Sequence, residues 1–184
     1  MAQSVDHFAA LGLPRSAALD GNLVRERFHE LSRELHPDAE GGDERKFAAI
    51  NEAQRVLRSP SARLKHLLEL ENGTKLGSTG MMSAELMALF AELGEMFSRA
   101  DSLIAKRNGA SSAVAKALLA GEEVRVQQAL MAAGGKLMDR RREIESGLEG
   151  VDVEQHEALS SAARELVFLE KWQAQVQERM GALI

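Results

Sequence analysis

The stretch LVRERFHELSRELHPD, residues 23–38, decides the fold of this chain. Its large apolar residues recur at intervals of four, three and four, as on one face of an α-helix: Val24, Phe28, Leu31 and Leu35. Pro37 disfavours a helical conformation at the residue before it and has no N–H to donate, so we predict that this helix ends near Leu35. Its apolar face then needs a partner.

A second helical run follows directly, from Glu44. Four residues on one face of this run recur at intervals of three, four and three, and three of them are apolar: Phe47, Ile50, Gln54 and Leu57. Between the two runs, residues 40–43 (EGGD) supply turn residues and a candidate N-cap. We therefore predict an antiparallel hairpin with His36, Pro37 and Asp38 exposed at its tip. The turn of any helix hairpin can contain a proline and an aspartate, so the tripeptide alone leaves a purely structural role open.

The residues on either side of this hairpin resemble those of J-domains. Residues 6–13 (DHFAALGL) predict a short opening helix, and residues 49–53 (AINEA) are similar to the third-helix signature of that family. Ser59, Pro60 and Arg63 begin the closing helix. The resemblance covers residues 6–71 in the order typical of J-domains, and it implies a docking module for an ATPase chaperone of the DnaK type.

Composition limits what else the chain can be. Of its 184 residues 45% are hydrophobic and 28% are charged, and the absence of cysteine excludes disulfides and thiolate metal sites. The first residues have neither region of a signal peptide, and no apolar stretch approaches the ~20 residues that span a bilayer. We expect a cytoplasmic protein whose mature chain starts here and has no membrane partner. The net charge of −5 argues against a nucleic-acid partner.

A change of composition divides the chain into two parts. Residues 72–80 (NGTKLGSTG) are rich in glycine and hydroxyl residues, which is typical of a connector. Beyond it we predict helices at about 83–106, 122–148 and 153–180, with the alanine-rich residues 113–120 as a loop or a short extra helix. The prediction is an all-α protein with three parts: a J-domain at 1–71, a linker at 72–82 and a three-helix bundle at 83–184.

The middle helix of the predicted bundle contains Gly134 and Gly135. A glycine inside a helix costs ~1 kcal/mol relative to alanine. We therefore expect either a local weakness or a close helix crossing at this point.

The second part narrows the resemblance to the HscB-type co-chaperones of iron–sulfur cluster assembly. The J-domain closes with residues 66–70 (HLLEL), Leu86-Met87 is followed by Phe90, and residues 164–171 (RELVFLEK) are similar to the last-helix motif of that family. The resemblance implies an exposed apolar patch that binds an iron–sulfur scaffold protein of the IscU type: Leu86, Met87, Phe90 and Phe168. Without the resemblance, the same four side chains would be expected to fill the core of the bundle.

The resemblance also assigns roles to the hairpin. His36, Pro37 and Asp38 would stimulate ATP hydrolysis by a DnaK/HscA-type chaperone. Arg27 and Arg33 would form a basic face of the first long helix. Arg25, His29 and Arg33 are four residues apart and share one exposed edge, which can orient an acidic partner surface. The alternative is that interleaved glutamates hold these arginines in ordinary surface ion pairs: Glu26, Glu30 and Glu34. Ala39 stands where the family usually has lysine, which removes one positive charge from this edge.

No sequence pattern indicates catalysis by the chain itself. It has no glycine-rich phosphate loop, no nucleophile with a paired histidine and no cluster of His, Asp and Glu at metal-ligand spacing. His36 and Asp38 are too few to hold a metal, and the other histidines are expected to be isolated at the surface or its boundary: His7, His66 and His156. We predict no enzyme, no cofactor and no metal, and we favour a monomer.

The two-part layout leads to one hypothesis about function. The C-terminal patch binds the scaffold, and the J-domain recruits the chaperone and triggers its ATP hydrolysis. Two alternatives stay open: a general J-domain co-chaperone with a different client, and a helical adaptor with no chaperone partner.

Overall fold

The computed structural model describes residues 5–73, 83–152 and 154–184, and in these ranges it contains seven α-helices and no β-strand. In chain order the helices are α1 (His7–Ala10), α2 (Gly21–Leu35), α3 (Glu44–Arg58), α4 (Pro60–Asn72), α5 (Ala84–Gly109), α6 (Ala113–Gly147) and α7 (His156–Ala182). The predicted all-α class is confirmed. Residues 74–82 of the predicted linker lie outside the described residues.

Short polar side chains fix where the helices begin. The residue before each of five helices accepts hydrogen bonds from backbone N–H groups of the first turn, which otherwise lack partners: Asp6, Asp20, Asp43, Ser59 and Ser83. Helix α2 ends at Leu35 as predicted, because the backbone of His36 before Pro37 is extended, with ψ 136°. Helix α4 ends at Asn72 and is capped by Gly73, whose φ of +66° favours glycine.

The chain divides into two compact units, and the first consists of Met1–Gly80 together with Ile144–Val167. In this unit α3 packs against α1, α2 and α4. Their apolar faces form one core: Phe8, Leu11, Val24, Ile50, Ala53, Leu57, Leu64 and Leu67. Arg63 is buried beside this core, where its guanidinium donates to the carbonyl oxygens of Ala17 (3.2 Å) and Leu57 (3.3 Å). The hairpin is therefore part of a well-packed body.

The second unit consists of Met81–Glu143 and Phe168–Ile184. The two units do not coincide with the predicted ranges, because residues 144–167 belong to the first unit. Four of their side chains are buried in the core that contains Phe8 and Ile50: Leu148, Leu159, Ala163 and Leu166. The division into domains at residues 72–82 stays a prediction.

Replacing Leu159 by alanine is expected to lower the free energy of unfolding by about 2–5 kcal/mol, because truncating a buried leucine leaves a cavity. Leu159 is fully buried in the first unit. Leu118→Ala is the matched control, since Leu118 of α6 is exposed and its truncation should change stability by less than about 0.5 kcal/mol. Urea unfolding followed by far-ultraviolet circular dichroism measures both. Equal losses in the two variants would contradict this core.

The predicted start of the middle bundle helix, near residue 122, is wrong. Helix α6 starts at Ala113, and the alanine-rich residues 113–120 form its first turns and not a loop or a separate helix. Alanine has the highest helix propensity of the common residues. The Ser112 hydroxyl also accepts a hydrogen bond from the backbone N–H of Ala115 at 3.1 Å, as an N-cap does.

Helix α6 continues without interruption through Gly134 and Gly135. A Cβ added at Gly134 would lie 3.7 Å from a methyl carbon of Val176 on α7, within ordinary contact distance. The space at residue 134 would accept a methyl group, so the structure shows neither a crossing that requires glycine nor a break in α6.

The expectation that His7 and His66 are isolated is wrong. His66 is buried, and its Nε2 accepts a hydrogen bond from the backbone N–H of His7 at 3.1 Å, with the two rings 4.5 Å apart. The ring of His66 also stacks on Phe8. Burial lowers the pKa of both imidazoles, and the proximity of His7 lowers the pKa of His66 further. The pair joins α1 to α4 and has a structural role.

Candidate functional site

The backbone at the tip of the hairpin is held by a series of short-range hydrogen bonds. The N–H of Ala39 donates to the carbonyl oxygen of His36 at 2.9 Å, and the N–H of Gly42 donates to that of Ala39 at 3.0 Å. The N–H of Asp43 then reaches back to the carbonyl oxygen of Leu35 at 3.2 Å. The loop between α2 and α3 is thus closed on itself, which fixes the backbone that carries the tripeptide.

The side chains of the tripeptide differ in how firmly they are held. The imidazole of His36 packs edge-on against the Phe47 ring at 5.1 Å, and its Nδ1 accepts the backbone N–H of Asp38 at 3.2 Å. The carboxylate of Asp38 is 91% exposed, and its 3.6 Å separation from Nδ1 of His36 is too long for a hydrogen bond. An oriented imidazole therefore lies beside a carboxylate that remains available to another molecule.

Gly42 is the residue that allows this loop to close. A Cβ at this position would lie 2.0 Å from the carbonyl oxygen of His36 and 3.2 Å from that of Ala39. Real Cβ atoms do not approach backbone oxygens as closely as the first distance, so any other residue would displace the backbone of His36. Sequence reasoning assigned residues 40–43 only general turn chemistry and did not identify this requirement.

The three arginines predicted to form the basic face and edge of α2 have different surroundings. Arg25 is exposed and donates to the side chain of Asn22 at 2.7 Å, whereas Arg33 is exposed and has no hydrogen bond or ion pair with another described residue. Arg27 is half-buried, pairs with Glu30, and points its Nε toward the carbonyl oxygen of Leu11 at 3.4 Å. The alternative of ordinary surface pairing thus applies to Arg27. Arg25 and Arg33 are freer to contact a partner.

A second candidate surface lies on α5 and α7 in the second unit. Met87 and Phe90 project from α5 and are 59% and 57% exposed. The rings of Phe90 and Phe168 lie 5.6 Å and 5.9 Å from the ring of Trp172, so two phenylalanines meet on one tryptophan. Trp172 itself is buried. The structure thereby brings three of the four predicted patch residues onto one accessible apolar face above the buried Trp172.

Leu86, the fourth predicted patch residue, is only 2% exposed. It shares a spacing of seven residues with Leu93 and Ala100, which are also buried, so this line of α5 faces the core. For Leu86 the core interpretation is the correct one. The buried Trp172 lies beneath the aromatic face instead, and it was not among the predicted patch residues.

Two other kinds of feature can be checked among the described residues: a metal site and a membrane-spanning helix. Within these residues, no three side chains of His, Cys, Asp or Glu are grouped so that they could hold a metal ion. Among the same residues, every helix is too short or too polar to cross a membrane. His156, the remaining isolated histidine of the sequence prediction, is exposed at the start of α7. The two surfaces above are the candidates that the structure supports.

Comparison with protein families matches the DnaJ domain over residues 6–66, which are the residues of the hairpin and its flanking helices. The match ends at His66, within α4. It covers the tip and both long helices of the hairpin. The J-domain predicted from the sequence is therefore present.

Comparison with individual proteins extends the similarity beyond that domain. The chain is 28% identical over 189 aligned residues to the "Co-chaperone protein HscB homolog" of Azoarcus sp. strain BH72, covering 97% of this chain and 95% of that protein. It is 34% identical to a protein of the same description from Vibrio campbellii, over 48% of this chain and 56% of that protein. Among solved structures, "Chaperone HscB from Vibrio cholerae" matches 98% of this chain and all of that chain, with 25% identity and a TM-score of 0.63.

Proposed function

The chain belongs to the HscB-type J-domain co-chaperones, and from this we propose that it recruits an iron–sulfur cluster scaffold protein to a DnaK/HscA-type chaperone and stimulates ATP hydrolysis by that chaperone. The observation that carries the proposal is the geometry of the tip. The carboxylate of Asp38 is almost fully exposed next to an imidazole whose orientation is fixed by Phe47. Because its loop is already ordered, such a polar tip can bind a partner without the entropy cost of ordering that loop.

The aromatic face on α5 and α7 supports the other half of the proposal. One or two aromatic anchors with adaptable aliphatic neighbours can supply most of the energy of a transient protein contact. Phe90 and Met87 are exposed in this way, and the Phe90 ring lies 5.6 Å from the ring of Trp172. We assign the scaffold to this face and the chaperone to the hairpin tip. We expect both contacts to form in the cytoplasm.

Single-turnover ATP hydrolysis by a purified chaperone of this type tests the proposal. The intact chain should increase the rate, and titration calorimetry with the scaffold protein should give saturable binding. Stimulation without scaffold binding would favour a general J-domain co-chaperone with another client. An unchanged hydrolysis rate would favour an adaptor with no chaperone partner, and would refute the proposal.

Replacing Gly42 by alanine is expected to reduce the maximal stimulation about tenfold, although the tripeptide itself is unchanged. The added Cβ would collide with the carbonyl oxygen of His36 and displace the tip, and small displacements of reacting groups have effects of this size. Gly21→Ala is the matched control, since a Cβ there meets nothing within 4 Å at the start of α2. Circular dichroism should be the same for both variants. Full stimulation by Gly42→Ala would contradict the positioning role of Gly42.

A further inference from the structure

Helix α6 has an apolar face that the core of the second unit does not use. The buried residues of this helix are Leu130, Ala133 and Leu137. Val124, Met131 and Met138 follow one another at intervals of seven and are 43–58% exposed. Residues seven apart on a helix lie only ~20° apart around its axis, so these three form one line on a different face.

Along the line of α6 that passes through these three residues, no charged side chain occurs from residue 117 to residue 138. The other positions within about 40° of this line are small or uncharged: Ala117, Ala120, Gln127 and Gly135. At 1.5 Å per residue this face is ~33 Å long. Contiguous apolar surface of this extent usually marks an interaction site on a soluble protein, and small residues allow another helix to approach closely.

We infer that this face binds the same face of a second copy of the chain, with the two α6 helices antiparallel. The charged residues along the edge of this face support a second copy of the chain as the partner. Arg125 and Asp139 are exposed at one edge of the face, and they lie seven residues before and after Ala132. A two-fold axis at Ala132 therefore sets Arg125 of each copy opposite Asp139 of the other. One interface then contains this pair twice.

The opposite edge has the same symmetry. Glu123 and Arg141 lie nine residues before and after Ala132, again with opposite charges. Glu123 also contacts Arg107 at 3.5 Å, and Asp139 accepts a hydrogen bond from Arg142 at 3.1 Å. The Asp139–Arg142 pair is exposed and contributes little, so Asp139 can also serve an interface, whereas the Glu123–Arg107 pair is partly buried. A parallel pair of helices would instead set like charges at the same height, which disfavours it.

The antiparallel arrangement also brings the apolar residues together. Met131 would lie beside Met131 of the second copy, and Val124 near Met138 of the second copy. Methionine side chains adapt to such a contact. A single pair of helix faces falls in the lower size class of protein interfaces, for which association is weak. The dimer should therefore form at high concentration, with the monomer dominant when the protein is dilute.

Sedimentation equilibrium of the full chain from ~10 μM to ~500 μM tests this inference. The wild-type chain should show a concentration-dependent monomer–dimer equilibrium, and Met131→Asp should remain monomeric. Arg125→Asp and Asp139→Arg should each raise the dissociation constant about tenfold, because each places like charges opposite one another. The double variant should restore dimerisation, since it exchanges the two charges of each pair. Circular dichroism identifies any variant that fails to fold, and Leu118→Ala serves as the apolar control.

Three results would overturn the inference. The first is a wild-type chain that stays monomeric over the whole range. The second is a double charge variant that dimerises no better than the single variants, which would exclude the antiparallel register. The third is a monomeric chain whose Met131→Asp variant loses binding to the scaffold or the chaperone, which would assign the face to that partner. The first two results do not depend on the activity proposed for the hairpin tip.

Discussion

Asp38→Asn is expected to reduce stimulation of the chaperone's ATP hydrolysis more than tenfold. The substitution keeps the size of the side chain and removes its charge. The turn should survive, because Asp38 contributes its backbone N–H to His36 and its carboxylate makes no hydrogen bond within the described loop. Hydrogen bonds to an ionised group are about twice as strong as those between neutral groups. Removing the charge is therefore expected to weaken the contact between Asp38 and the chaperone. Single-turnover hydrolysis at saturating co-chaperone measures the effect.

Glu40→Gln is the control for this variant. Glu40 is another exposed carboxylate of the same loop, and its neutralisation should leave stimulation within about twofold of wild type. Equal losses in the two variants would point to the net charge of the loop and not to Asp38. Wild-type stimulation by Asp38→Asn would refute the role assigned to the tip.

Phe90→Ala is expected to weaken binding of the scaffold protein about thirtyfold, while stimulation of the chaperone in the absence of scaffold stays unchanged. Truncating a central aromatic anchor typically costs about 2 kcal/mol of binding free energy, which corresponds to that factor. The stability of the chain should change little, because Phe90 is more than half exposed. Titration calorimetry gives the affinity.

Trp172 supplies an independent measurement of the same contact. It is the only tryptophan of the chain, and both Phe90 and Phe168 lie against it. Scaffold binding at this face should therefore change its fluorescence. Leu118→Ala, which truncates an exposed leucine on α6, should bind the scaffold with wild-type affinity. Unchanged fluorescence on saturation, or equal binding by wild type and Phe90→Ala, would place the scaffold elsewhere.

The hairpin was predictable because its signals are local. The apolar period from Val24 to Leu35 and the proline at position 37 determine where α2 ends and which face it buries, and the structure agrees. The start of α6 was missed for the opposite reason. Half of residues 113–120 in its first turns are alanine, and such small side chains contribute little to an apolar period.

Contacts between distant residues could not be predicted in this way. His7 and His66 are 59 positions apart, and neither has a neighbour in sequence that indicates their pairing. Leu86 and Phe90 are one helical turn apart and were predicted on the same patch, yet one is buried and the other exposed. The boundary of the buried face of α5 runs between them. The spacing of residues along a helix predicts the direction of a side chain only approximately. Packing against neighbouring helices then decides whether that side chain is buried.

The central claim is that one chain links the scaffold to the chaperone through two separate surfaces. It is tested most directly by single-turnover hydrolysis in the presence of scaffold, comparing wild type with an equimolar mixture of Asp38→Asn and Phe90→Ala. Each variant retains one intact surface, so the mixture contains both surfaces but never on the same molecule. We predict that scaffold increases the rate with wild type and fails to do so with the mixture. A mixture as active as wild type would contradict the account.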